Sequence, residues 1–80
     1  MIDKREWMRK SGFCDRLREA REKAGYTREH VAANLETVKE YVFKVENAQT
    51  CPSIAKVCAM AELYEVTIDW LCGRKEENDC

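Results

Sequence analysis

Nine side chains between Thr27 and Thr50 are of types suited to recognising a polyanion that also offers hydrogen-bonding edges: Thr27, Arg28, Lys39, Glu40, Tyr41, Phe43, Lys44, Gln49 and Thr50. Lysine and arginine donate to phosphate oxygens or to guanine O6 and N7. Glutamate accepts from the cytosine amino group, and a phenyl ring packs on a thymine methyl. Thr27, Tyr41, Gln49 and Thr50 add neutral donors for phosphate. This is the chemistry of recognition rather than of bond breaking. No paired carboxylates, nucleophile–base pair or phosphate-cradling glycine loop is present, and the single histidine, His30, cannot supply a triad, so no enzyme is expected.

The five cysteines, Cys14, Cys51, Cys58, Cys72 and Cys80, contain no C-x-x-C pair, and none stands at ligand spacing from His30. Neither zinc nor another cofactor is expected. An odd number without a signal peptide does not read as a disulfide framework. Cys14, Cys58 and Cys72 read as small core hydrophobes in a reducing compartment, and Cys80 as exposed.

The nine residues need a scaffold that holds two short helices at a fixed angle. The stretch GYTREHVAANLETVKEYVFKVEN, Gly25 to Asn47, reads that way. Thr27 is a good N-cap for one helix, whose buried face is Val31, Ala32 and Leu35. His30 stands where a capping box would have Glu or Gln. Glu36-Thr37-Val38 is the turn. The next helix runs from Lys39 to Glu46, with Val38, Val42 and Val45 facing inward. Two helices joined in this way are the layout of a helix-turn-helix, whose second helix lies in a major groove.

Around this pair, Phe13, Leu17, Ala20 and Ala24 repeat at helical spacing, giving a first core helix over 13–24 that stops at Gly25. Asn47 to Pro52 is a loop. Ser53 caps a fourth helix with Ile54, Val57, Cys58, Met60, Ala61 and Tyr64 on its apolar face. Thr67 caps a short last one containing Ile68, Trp70 and Leu71, closed by Gly73. Tyr64 and Trp70 read as core or subunit-interface residues. Residues 1–12 are either a mobile basic arm or a short helix capped by Asp3, broken at Ser11-Gly12. Residues 74–80 read as a frayed tail. The expectation is an all-α domain of five helices over 13–73.

The chain has 80 residues, 45% of them hydrophobic and 36% charged, enough for one small core and no second lobe. No segment has the length of a membrane span or the form of a leader, so a cytoplasmic protein is expected. The net charge of −1 hides an asymmetry. Residues 1–25 carry eight Lys or Arg against five Asp or Glu, whereas residues 51–80 carry three against six. Most DNA-binding proteins are basic overall. Here the positive charge is either gathered on one face or the binding is weak.

With these residues placed, the chain resembles the lambda-repressor-like, Cro-type (XRE) helix-turn-helix regulators over about Phe13 to Gly73. RLREAREKAGYT looks like the family's first helix and its lead into the second, and VAANL is similar to its L-A-x-x-L. VFKVEN looks like I-x-x-x-E-N/R-G, and PSIAKVCAMAELYEVTIDWL resembles the family's closing segment. The resemblance implies a structural pair between Arg21 and Glu46 that locks the reading helix to its scaffold. It places Arg28 where the family often has glutamine, and puts Lys39, Glu40, Phe43 and Lys44 on the reading helix. Four further positions depart from it. Glu36, Ala48 and Glu65 stand where the family has glycine, and a Cβ in the left-handed conformation costs on the order of 1 kcal/mol, so reshaped turns are expected. Val38 replaces the usual Ser or Thr cap, losing up to about 1 kcal/mol.

The resemblance implies a regulator that binds double-stranded DNA as a homodimer, its two reading helices about 34 Å apart on a palindromic operator. Repression is the default outcome. The alternative is a protein-interaction module on the same fold, an antitoxin or anti-repressor partner with weak DNA binding. Its support is the acidic balance, Glu36, Glu40 and the aromatic pair Tyr41 and Phe43. For Phe43 both DNA and a protein partner stay open, as do groove entry or core packing for residues 1–12.

Overall fold

The computed structural model describes residues 3–73, and the expectations for the tail and for Cys80 lie outside the described residues. Six helices follow one another: α1 (Lys4–Lys10), α2 (Phe13–Ala24), α3 (Arg28–Asn34), α4 (Lys39–Glu46), α5 (Ile54–Tyr64) and α6 (Ile68–Leu71). No strand occurs among the described residues. The all-α, lambda-repressor-like architecture is therefore present. The five expected helices are joined by α1, the short helix that was one of the two alternatives for residues 1–12.

α1 is a helix because Asp3 accepts from the Arg5 amide and the Ser11 amide closes it on the Trp7 carbonyl. Met8 is fully enclosed in the core, and the Trp7 ring packs 5.7 Å from that of Phe13. Gly12 then turns the chain with a left-handed backbone, φ 81°, into α2.

The enclosed side chains of the core come from five helices: Met8, Leu17, Val31, Val42, Val45 and Leu71. α5 adds Val57, Met60, Ala61 and Tyr64, a stripe at spacings of three and four. Side-chain oxygens of Thr27, Ser53 and Thr67 cap α3, α5 and α6 by accepting from the amides of His30, Lys56 and Trp70. α4 has no such cap, because Val38 stands in that place.

Helical spacing assigns the right face but not where the core ends. Ile54 and Cys58 are exposed, not core, because they lie four apart on the stripe beside the packed one. Ile54, 71% exposed, instead borders an apolar groove of about 330 Å³ shared with Trp7, Phe13, Pro52 and Ile68. Ala24, at the end of α2, is exposed, and Arg21 one turn earlier takes the buried place. Cys72 is only half-buried at the end of α6. Val38 is 60% exposed, since an N-cap with φ −109° and ψ 157° does not share the helical direction of Val42 and Val45.

The turns are not reshaped. Glu36, Ala48 and Glu65 hold φ of 58°, 59° and 60°, the left-handed values that glycine takes at Gly25. One pair of bonds explains all four. The Glu36 amide donates to the Ala33 carbonyl and the Thr37 amide to the Ala32 carbonyl. Gly25 and Tyr26, Ala48 and Gln49, and Glu65 and Val66 repeat the pattern on α2, α4 and α5. This is the Schellman closure, which satisfies carbonyls that a helix end otherwise leaves open. Its two hydrogen bonds hold the left-handed residue in place despite the Cβ.

Candidate nucleic-acid interface

α4 is fixed to its scaffold by a carboxylate. Glu46, at the end of α4, is 3% exposed and accepts from Arg21 Nε at 2.7 Å and Arg21 Nη2 at 3.3 Å. Arg21 Nη1 donates to the Tyr26 carbonyl at 3.0 Å, so the guanidinium ties α2, α4 and the α2–α3 turn together. The hydrogen bonds it donates to Glu46 raise the pKa of Arg21 above its ordinary value, against the opposing effect of burial. The pair implied by the resemblance is thus formed.

A second arginine shares the same carboxylate. Arg28 Nε donates to Glu46 Oε1 at 3.1 Å, and its Cζ lies 5.3 Å from the centre of the Phe43 ring. The sequence reading gave Glu46 to Arg21 alone. The signal for the second contact was weak. Arg28 follows the Thr27 cap directly, but its reach to Glu46 depends on how closely α3 and α4 cross. Lys39 likewise pairs with Glu29 at 3.3 Å, and the Glu29 carboxyl is held below its ordinary pKa by a local backbone hydrogen bond and then by Lys39. Lys44 has no acidic partner among the described residues.

The nine residues singled out above fall into two adjoining clefts on one side of the molecule. Thr27, Arg28, Lys39, Glu40 and Phe43 line one of about 540 Å³ between the start of α3 and α4. Glu40, Tyr41, Lys44, Gln49 and Thr50 line another of about 440 Å³ between α4 and the loop that follows. Glu40 borders both. Phe43 is 45% exposed. Tyr41 is half-buried against the core, and burial raises its phenol pKa, so it is not the free surface aromatic that the sequence suggested. Thr50 is half-buried too. His30 is exposed and stacks on Tyr26 at 4.7 Å.

Among the described residues no cluster of three or more His, Cys, Asp or Glu is arranged to hold a metal ion, and no helix is long and apolar enough to cross a membrane.

A short helix carrying mixed donors, set across a second helix by a tight turn and braced by a buried ion pair, defines a helix-turn-helix domain. The helix-turn-helix family model matches residues 17–71, and the chain belongs to that family, in its Cro-type (XRE) form. The chain is 34% identical over 61 residues to the HTH-type transcriptional regulator ImmR of Bacillus subtilis (strain 168), a match covering 76% of this chain and 48% of that protein. The chain thus spans about half the length of the curated relative it matches. No solved structure matches it.

Proposed function

We propose that this domain is a sequence-specific DNA-binding transcriptional regulator, a repressor that docks α4 in the major groove of a palindromic operator as a homodimer. The observation that carries this reading is the gathering of all nine candidate contacts on the two flanks of α4. α4 itself is braced from behind by the buried Arg21–Glu46 pair. Lys39 and Lys44 supply the basic contacts of the helix, Glu40 and Phe43 the base edges, and Thr27, Tyr41, Gln49 and Thr50 the phosphates. Family membership and the similarity to a protein named as a transcriptional regulator support the same reading. The dimer sets two copies of α4 about 34 Å apart, one turn of duplex. Its place of action is the cytoplasm, as a bacterial or phage-encoded protein that joins the nucleoid when bound to DNA.

A protein-binding role for the same surface is the second reading. It is favoured by the exposure of Phe43 and Val38 and by the neutralisation of Lys39 by Glu29.

Fluorescence anisotropy with the gene's upstream region and a scrambled duplex, at several salt concentrations, tests the first reading. Tight, salt-dependent binding to the upstream region, lost in Lys39→Ala/Lys44→Ala, is expected. Equal or negligible binding to both duplexes moves the weight to the protein-binding role.

A further inference from the structure

We propose that Arg28, Phe43 and Glu46 form one reading unit, in which the Arg28 guanidinium is held as a fixed two-pronged donor for a guanine edge. This rests on the DNA-reading role above and names one base that role recognises.

The geometry leaves the guanidinium little choice. Its Nε is taken by Glu46 Oε1 at 3.1 Å, and its Cζ lies over the Phe43 ring, 5.3 Å from the ring centre. Glu46 cannot follow Arg28 outward, because Arg21 holds both its oxygens from the buried side at 2.7 and 3.3 Å. The Nη1 and Nη2 atoms of Arg28 have no partner among the described residues, and the side chain keeps 35% of its surface exposed. Arginine held in this way has already lost the rotamer freedom that a free surface arginine loses on docking. What remains free is a parallel pair of N–H donors, the group that matches O6 and N7 of guanine in the major groove. Phe43 stands on α4 and Arg28 on α3, so the unit also carries the position of the reading helix into the direction of the donor pair. Phe43 and Glu46 are positioning residues here, and Arg28 makes the contact.

The test starts with selection of binding sites for the full chain from a random duplex pool. Affinity is then measured for the wild type, Arg28→Lys, Phe43→Leu and the double variant. Each is assayed on the selected duplex and on duplexes in which single guanines are replaced by 7-deazaguanine, which lacks the N7 acceptor. The wild type is expected to lose about tenfold at one guanine per half-site. Both single variants lose that discrimination while keeping the wild-type urea midpoint, and the double variant is no worse than either single. Arg28→Lys keeps its charge and so leaves the salt dependence unchanged. A merely structural role would not move the response to one atom of one base. A selected site at which the variants weaken binding uniformly, with every 7-deazaguanine response intact, would mean a phosphate contact and overturn the proposal while operator reading stands. Failure of the wild type to select any sequence removes operator reading itself, and this proposal with it.

Discussion

Glu46 accepts from Arg21 and Arg28 while almost wholly enclosed. Its removal leaves Arg21 as a buried charge without its counter-ion, a situation that costs about 3–5 kcal/mol. Glu46→Ala is therefore expected to lower unfolding free energy by about that amount, measured by urea denaturation, and to unfold the domain outright if its total stability is smaller. Tyr64 behaves in the opposite way. Its hydroxyl is buried and has no hydrogen-bond partner among the described residues. Burial, with Glu46 adding and Arg21 opposing, raises its pKa well above that of a free tyrosine. The folded chain keeps a proton that the unfolded chain loses above about pH 10, so stability falls as the pH rises through that value. Tyr64→Phe should flatten this alkaline loss in a series of urea midpoints, and should be neutral or stabilising by about 1 kcal/mol at pH 7. The Arg21–Glu46 pair was legible only through the family resemblance, which implies an arginine late in the first core helix paired with the glutamate that ends the reading helix. Arg28 on Glu46 was not, because it follows from a helix crossing that no local pattern encodes.

At the scale of elements, the bounds of α2 and α4 could be read from apolar spacing and from Gly25, whereas the exposure of Ile54, Cys58, Ala24 and Val38 could not. Periodicity tells which way a side chain faces, not whether another helix is there to cover it. The turns posed a related problem. Their family glycines are missing, yet backbone bonding alone keeps the left-handed shape at Glu36 and Glu65. Glycine at either exposed site should therefore raise stability, by up to about 1 kcal/mol after the added unfolded-state freedom is subtracted. Thermal unfolding of Glu36→Gly and Glu65→Gly checks this. Val38→Ser should also stabilise, by roughly 0.5–1 kcal/mol, by giving α4 the side-chain cap it lacks. Met8→Ala is expected to cost about 2–5 kcal/mol, because α1 contributes an enclosed core side chain. A truncation before Phe13 that left stability unchanged would contradict that role for α1.

Across the whole molecule the net charge of −1 supplies no general attraction to DNA, so any binding depends on the cations gathered at the two clefts, of which Lys44 has no acidic partner among the described residues. Lys44→Ala should reduce the slope of log affinity against log salt by about 1 per protomer. A slope unchanged within error would remove Lys44 from the phosphate contacts. One bond between layers has a separate use. The buried Cys14 thiol, on α2, donates to the Val45 carbonyl in the last turn of α4 at 3.1 Å, and burial raises its pKa. Cys51 and Cys58 are exposed. Among the described residues a water-soluble thiol reagent at neutral pH therefore meets Cys51 and Cys58 at once, the half-buried Cys72 more slowly, and Cys14 only when α2 and α4 part. The lag before Cys14 is labelled is a native clock for how often the reading helix leaves its scaffold, ticking in the unmodified chain.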